Sequence, residues 1–304
     1  VTLVRGADIS RFQTVTDWQA LNRALDFVII KATEGATGLS PTFGPYWRGA
    51  HSIKVGLAVG SYHYGHPATS AVRQAGHYVT ELRAVGWRSR RDLPPVLDIE
   101  ETEGRGPATL TRWCLDFCRE VDRLLGLTEP WLRCGVYTNR DYYTHRFDGP
   151  AVHAGRWLWL ASWPNRDGPW PAESAMPAGA AIWQWTDRAH PGGIDGNDNV
   201  DADVARLADL RRLAPDHFPP EDTDMTTDAS VRAIVRDELH RFLVTPDKAL
   251  ENLDNPGSLY SLAKAIQNME NDQDADRKEA RAFRLGVQKA LTELHAAIKA
   301  DTPR

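Results

Sequence analysis

Val96-Leu-Asp-Ile-Glu100 is an apolar run that closes on two carboxylates separated by a single residue. Pro94 and Pro95 precede it and the polar Glu101-Thr-Glu-Gly104 comes next, so the run is bounded like a short buried strand. Strand side chains alternate between faces. Asp98 and Glu100 therefore share one face, roughly 6–7 Å apart at Cα. Two carboxyl groups at the end of a buried strand cannot both ionise freely; one pKa rises, and that group can hold a proton as a general acid. The competing reading is a strand that simply ends in solvated acids.

Working outward, the chain up to about residue 213 alternates strand-like and helix-like segments. Candidate strands are 6–12, 27–33, 56–64, 95–100, 134–138, 157–163, 180–185 and a short one near Val200, with amphipathic segments at 17–25, 71–85 and 110–125. Eight short strands, most too apolar for a half-exposed sheet, predict an α/β fold with a parallel barrel. The second half leaves little room for full helices, so the barrel is expected to be irregular. In such barrels the chemistry sits at the carboxyl ends of the strands. Asp98, Glu100, Tyr62, His63, Tyr64, Asn139, Trp163 and Gln184 all fall at predicted strand ends.

The composition changes further along. All 11 Trp residues lie between Trp18 and Trp185. After Ala214-Pro-Asp-His-Phe-Pro-Pro220 the chain becomes Gly-poor and charged. This places a catalytic-type region at 1–213, a Pro-containing acidic linker at 214–228 and a small all-helical region at 229–304. In that tail Ala280, Phe283, Val287, Leu291, Leu294 and Ile298 recur at heptad spacing, which fits a contact between chains, a small bundle, or a helix packed on the barrel.

Several classes are excluded or set aside. A net charge of −5 over 304 residues gives no footprint for nucleic acid. No apolar run is long enough to span a bilayer. Cys114 and Cys118 sit four apart on one helix face and, with Cys134, read as buried thiols. A calcium loop starting at Asp195 would need Gly at its sixth position and Glu at its twelfth, where Val200 and Arg206 stand. His63 and His66 lack metal-ligand spacing, so neither metal nor cofactor is expected. Chain start Val1 is compatible with a removed leader or a non-standard start codon.

Asp8 interrupts the first apolar strand, where an acid needs a partner or a purpose, and Ser10 shares its face. At this point eight motifs stand in order: Gly6-Ala-Asp-Ile-Ser-Arg-Phe-Gln13, Ile30-Lys-Ala-Thr-Glu-Gly35, Gly60-Ser-Tyr-His-Tyr64, Leu97-Asp-Ile-Glu100, Val136-Tyr-Thr-Asn139, Leu158-Trp-Leu-Ala-Ser-Trp163, Trp183-Gln-Trp185 and Gly196-Asn-Asp-Asn-Val-Asp201. Together they resemble the glycoside hydrolase family 25 muramidases, lysozymes of the Chalaropsis type found in phage endolysins, bacterial autolysins and fungi. The resemblance covers about residues 5–213.

The resemblance implies an irregular TIM-like β/α barrel of eight strands and cleavage of the β-1,4 bond between N-acetylmuramic acid and N-acetylglucosamine in bacterial peptidoglycan. It makes Glu100 the general acid and puts Asp98 beside the anomeric centre, stabilising an intermediate formed by the substrate's own acetamido group. Asp8 would tune the pair or hold substrate. Asp201 fits the fourth acid best, with Asp195 and Asp198 open. Lys31, Glu34, Tyr62, Tyr64, Asn139, Trp163, Gln184 and Trp185 are the expected substrate contacts, with Trp163 and Trp185 placed in the cleft as stacking rings. The tail would bind cell wall or drive homo-oligomerisation. Without a leader the enzyme would accumulate in the host cytoplasm, as endolysins do; with one it would be secreted. The alternatives are an endo-N-acetylglucosaminidase or chitinase of another barrel family, and a catalytically silent wall-binding module.

Overall fold

A computed structural model of the chain describes residues 3–53, 56–163 and 170–218. Strands β1 (Leu3–Ile9), β2 (Phe27–Glu34), β4 (Ala58–Tyr64), β5 (Val96–Asp98), β6 (Gly135–Asn139), β7 (Leu158–Ala161), β8 (Ile182–Ala189) and β9 (Val200–Arg206) form a closed ring, because β1 pairs with both β9 and β2. A two-residue strand β3 (Gly38–Leu39) folds back on the end of β2 as a short hairpin.

All eight expected strands are present, but the barrel is mixed rather than parallel. Around the ring from β1 to β8, which leaves out the β3 hairpin, neighbouring strands run parallel, whereas β9 is antiparallel to β8 and to β1. Only residues 190–199 separate β8 from β9. That is shorter than the dozen or more residues a parallel crossover requires, so the chain must turn back. The start of β9 therefore meets the carboxyl ends of its neighbours, and Asp201 lies opposite Asp8.

Helices α1 (Trp18–Ala24), α3 (Ala71–Ala84) and α4 (Pro107–Leu125) occupy the predicted amphipathic segments. Asp17 caps α1 by accepting from the Gln19 and Ala20 amides at 2.8 and 3.1 Å. Pro107 opens α4, and Gly126, at φ 69°, closes it in the left-handed conformation. Helix α2 (Phe43–His51) was not expected: Gly44, Pro45 and Gly49 hide a buried stripe of Phe43, Trp47 and Ala50. Short helices α5 (Gly149–His153) and α6 (Leu207–Leu213) complete the order.

Two apolar clusters follow from strand alternation. One fills the barrel with Phe27, Ile29, Val96, Trp157, Trp159 and Ile182, and the other joins the outer strand faces to the helices through Ile30, Leu97, Trp113 and Phe117. A Cβ on Gly6 would lie 2.2 Å from the Phe27 ring, so only glycine lets that ring plug the barrel floor. His63, on the outer face of β4, receives the Thr33 hydroxyl at Nδ1 (2.8 Å) and donates from Nε2 to Gln74 (2.9 Å). With burial pushing its pKa down to about 3, it is a neutral core residue. Cys114, Cys118 and Cys134 are buried free thiols.

Residues 214–218 continue on the barrel: Ala214 is buried and Phe218 packs against the interior cluster. The chain divides between Pro220 and Glu221. The remainder of the expected linker, and the heptad seam of the 229–304 region, lie outside the described residues. Among the described residues no helix is long and apolar enough to cross a membrane.

Candidate active site

The site begins with two backbone restraints on β5. The Ile99 amide donates to the Tyr137 carbonyl at 3.0 Å, and the Thr138 hydroxyl donates to the Ile99 carbonyl at 2.7 Å. These bonds keep the chain extended past Asp98, so strand alternation carries on to Glu100 and both carboxylates face the barrel mouth. They line a cavity of about 190 Å³ together with Asp8, Asp201, Tyr62 and Tyr137. Lys31 is the one cation among its lining residues.

The floor is a hydrogen-bonded relay. Tyr137 donates to Gln184 Oε1 at 2.9 Å, and Gln184 Nε2 donates to Asp8 Oδ2 at 2.8 Å. Beneath it Trp159 Nε1 donates to Asp203 Oδ1 at 2.7 Å. The Trp159 ring meets Tyr137 at 4.4 Å between centroids and Tyr62 edge-on at 6.2 Å. Aromatic walls thus surround the acids, with Lys31 the one counter-charge in the lining.

The electrostatic consequence is uniform. Burial raises Asp98 well above the usual carboxylate range, Glu100 raises it further, and Lys31 opposes. Burial also raises Asp8, with Asp201 and Asp203 adding to it, while the Gln184 hydrogen bond pulls it back. Glu100 is raised by burial and raised again by Glu101, while Lys31 opposes. Asp98 Oδ1 is buried without a hydrogen-bond partner, a costly position for a carboxylate oxygen. Glu100 is only half-buried, so it is the member of the pair that keeps contact with solvent.

The other expected contacts divide. Lys31, Tyr62 and Tyr64 line the cavity. Lys31 Nζ sits 2.7 Å from Glu34 Oε2 and 4.7 Å from the centre of the Tyr64 ring. Gln184 works from below through Asp8. Asn139 Oδ1 accepts from the Tyr142 amide at 3.0 Å and opens a π-helical turn. Trp163, just past β7, is 40% exposed but is not part of the cavity lining. Trp185 departs from expectation: it is buried with Trp183, Met176 and Ala202 on the opposite face of β8 from Gln184. Strand alternation cannot put neighbours 184 and 185 on one face. Asp195 and Asp198 are used by loop bonds, to Asn197 and to the Thr14 amide (2.6 Å), which leaves Asp201 as the one of the three that lines the cavity.

Sequence reasoning passed over Asp203, Tyr137, Trp159 and Phe12. The signal was present, since Asp203 shares the parity of Asp201, Trp159 that of Trp163, and Tyr137 that of Asn139.

The family model of glycosyl hydrolases family 25 matches residues 7–194, which run from the strand bearing Asp8 to the loop before Asp201. This chain belongs to glycosyl hydrolases family 25. The chain is 30% identical over 203 residues to the protein YegX of Escherichia coli (strain K12), covering 64% of this chain and 66% of YegX. It therefore spans slightly less than two thirds of that relative. It is also 30% identical over 189 residues to an N,O-diacetylmuramidase of Chalaropsis sp, covering 54% of this chain and 88% of that protein. Among solved structures, the bacterial lysozyme from Streptomyces coelicolor matches 70% of this chain and 98% of its own, at 26% identity and a TM-score of 0.57. The barrel described above is the family 25 fold.

Proposed function

We propose that this family 25 chain is an N-acetylmuramidase that hydrolyses the β-1,4 bond between N-acetylmuramic acid and N-acetylglucosamine in bacterial peptidoglycan. The observation that carries the reading is the Asp98/Glu100 pair at the mouth of an acidic, aromatic-walled barrel, with Glu100 raised and still open to solvent. A relative named N,O-diacetylmuramidase supports it.

In this reading Glu100 passes its proton to the glycosidic oxygen as the C1–O bond breaks. The substrate's acetamido oxygen closes on C1, and Asp98 stabilises the positive charge that develops on the acetamido group. Water then adds to C1, returning a proton to Glu100, and the ring opens with net retention. Asp8 and Asp201 hold the pair's proton affinity high, Lys31 and the tyrosines receive the sugar, and Trp163 stacks against it from outside the cavity. Lysis of bacterial cells, as by an endolysin or an antibacterial lysozyme, follows from the same activity. Residues 229–304 serve wall binding or self-association.

The test is mass spectrometry of borohydride-reduced products from purified peptidoglycan. Chains ending in reduced N-acetylmuramic acid are expected, with the rate reduced about 10²–10⁴-fold in Glu100→Gln, the range for losing a general acid. Reduced N-acetylglucosamine ends would replace the reading with an endo-N-acetylglucosaminidase. No products from several wall types would leave a binding module.

A further inference from the structure

The cavity opens at Lys31 and Phe12 into a larger groove of about 510 Å³, walled by the β1–α1 turn on one side and the β2–β3 hairpin on the other. The two hollows share Phe12 and Lys31, so a ligand in the cavity has a branch of space beside it. Along the groove floor the charges are already paired. Lys31 bonds Glu34 at 2.7 Å, Glu34 reaches His66 Nε2 at 3.2 Å, and His66 Nδ1 meets Glu103 at 2.6 Å. Arg11 differs. It is exposed, its guanidinium stacks 4.9 Å from the Phe12 ring centre, and among the described residues it pairs with no carboxylate.

Two apolar side chains stand out to water on these walls: Phe12 is 67% and Leu39 53% exposed. A guanidinium with no carboxylate partner among the described residues asks for an anion, which a neutral glycan does not bring. It matches an acidic peptide, whose carboxylates can take a charge-assisted bond while its aliphatic side chains cover Phe12 and Leu39.

We propose that this groove holds the peptide stem carried by the lactyl group of muramic acid, with Arg11 pairing to a stem carboxylate. The inference rests on the muramidase reading, whose substrate bears that acidic peptide on the sugar seated in the adjoining cavity. Arg11 is then a specificity residue that touches only the stem.

The experiment compares the full chain and its Arg11→Gln and Arg11→Lys variants on the same glycan strands with stems present or removed by an amidase. Expected is a fall in kcat/KM of about tenfold for Arg11→Gln on stem-bearing strands, the size of one charge-assisted contact, carried by KM. Stripped strands should be cut at the unchanged rate, and Arg11→Lys should recover part of the loss. An equal loss on both substrates would mean that Arg11 answers to the sugar or to the lactyl carboxylate that the amidase uncovers, not to the stem, and would overturn the proposal, as would no loss on either. Binding of soluble muramyl tripeptide, followed by calorimetry, separates the two readings. If neither strand is cut but the tripeptide binds in an Arg11-dependent way, the muramidase reading fails and the groove assignment stands. Binding indifferent to Arg11 removes the groove assignment.

Discussion

Glu100 owes its raised pKa first to burial and then to the like charge of Glu101, its exposed neighbour. A general acid works only while protonated, so the alkaline limb of the pH–rate profile should lie above the ordinary carboxylate range. Glu101→Gln removes a charge without touching the packed interior. The alkaline limb of kcat/KM should then move to lower pH while the acid limb stays, and an unmoved profile would show that Glu100 does not set that limb. Asp98 and Glu100 were legible because a two-residue repeat at a strand end has one geometric meaning. Trp185 was misplaced for the same reason: once Gln184 faces inward, its neighbour must face outward.

Among the elements, the loop of residues 190–199 does the positioning that no strand can. The Gly193 carbonyl accepts from the Thr16 and Asp17 amides at 2.8 and 3.1 Å, and the Asp195 amide donates to the Thr14 carbonyl at 2.9 Å. Gly193 has φ +96°, and a Cβ there would lie 2.3 Å from the Asp17 carbonyl oxygen. Gly193→Ala should therefore lift the loop from α1, costing roughly 1–3 kcal/mol of strain. The expected readouts are a lower Tm and a lower kcat, because β9 and Asp201 begin where this loop ends. Unchanged values for both would mean that the loop does not position Asp201. Helices α1, α3 and α4 were readable from spacing and caps. Helix α2 was not, because its glycines and Pro45 mask a stripe that only burial reveals. Strand β9 looked short because acids occupy its inward positions, which are apolar in most of the other strands.

At the scale of the whole molecule, the barrel encloses more carboxyl groups than its interior can hold as anions. Burial raises Asp203 well above its ordinary range, with Trp159 opposing and Asp201 reinforcing. A carboxyl group that binds its proton more tightly when folded stabilises the fold fully below its unfolded pKa and loses that contribution as pH rises through its folded value. His63, pushed down to about 3, acts in the other direction: below its ordinary value of 6.5 the unfolded chain takes a proton that the folded chain refuses. Stability should thus peak in mildly acidic solution. Asp203→Asn keeps the acceptor for Trp159 and removes the alkaline loss, so its Tm should exceed that of the parent near pH 8 and converge with it near pH 4. Parallel Tm curves would assign no linkage to this group. A chain ending at residue 220 should fold and cut soluble glycan at the full rate, since Ala214 and Phe218 complete the interior. An unfolded product, seen by circular dichroism, would show that the barrel needs residues 221–304 to fold.

The sequence by itself determined the strands, their number, the inward parity of Asp8, Asp98 and Glu100, and the family, because alternation and motif order are local properties written along the chain. Tertiary structure decided what depends on residues far apart in sequence. It reversed β9, since a ten-residue connection cannot cross a barrel, and so put Asp201 rather than Asp195 or Asp198 opposite Asp8. It set Asp203 beneath Trp159 and joined the groove beside Arg11 to the acid-lined cavity. Proton affinities belong to this second class as well, because burial and neighbouring charge exist only once the ring of strands has closed.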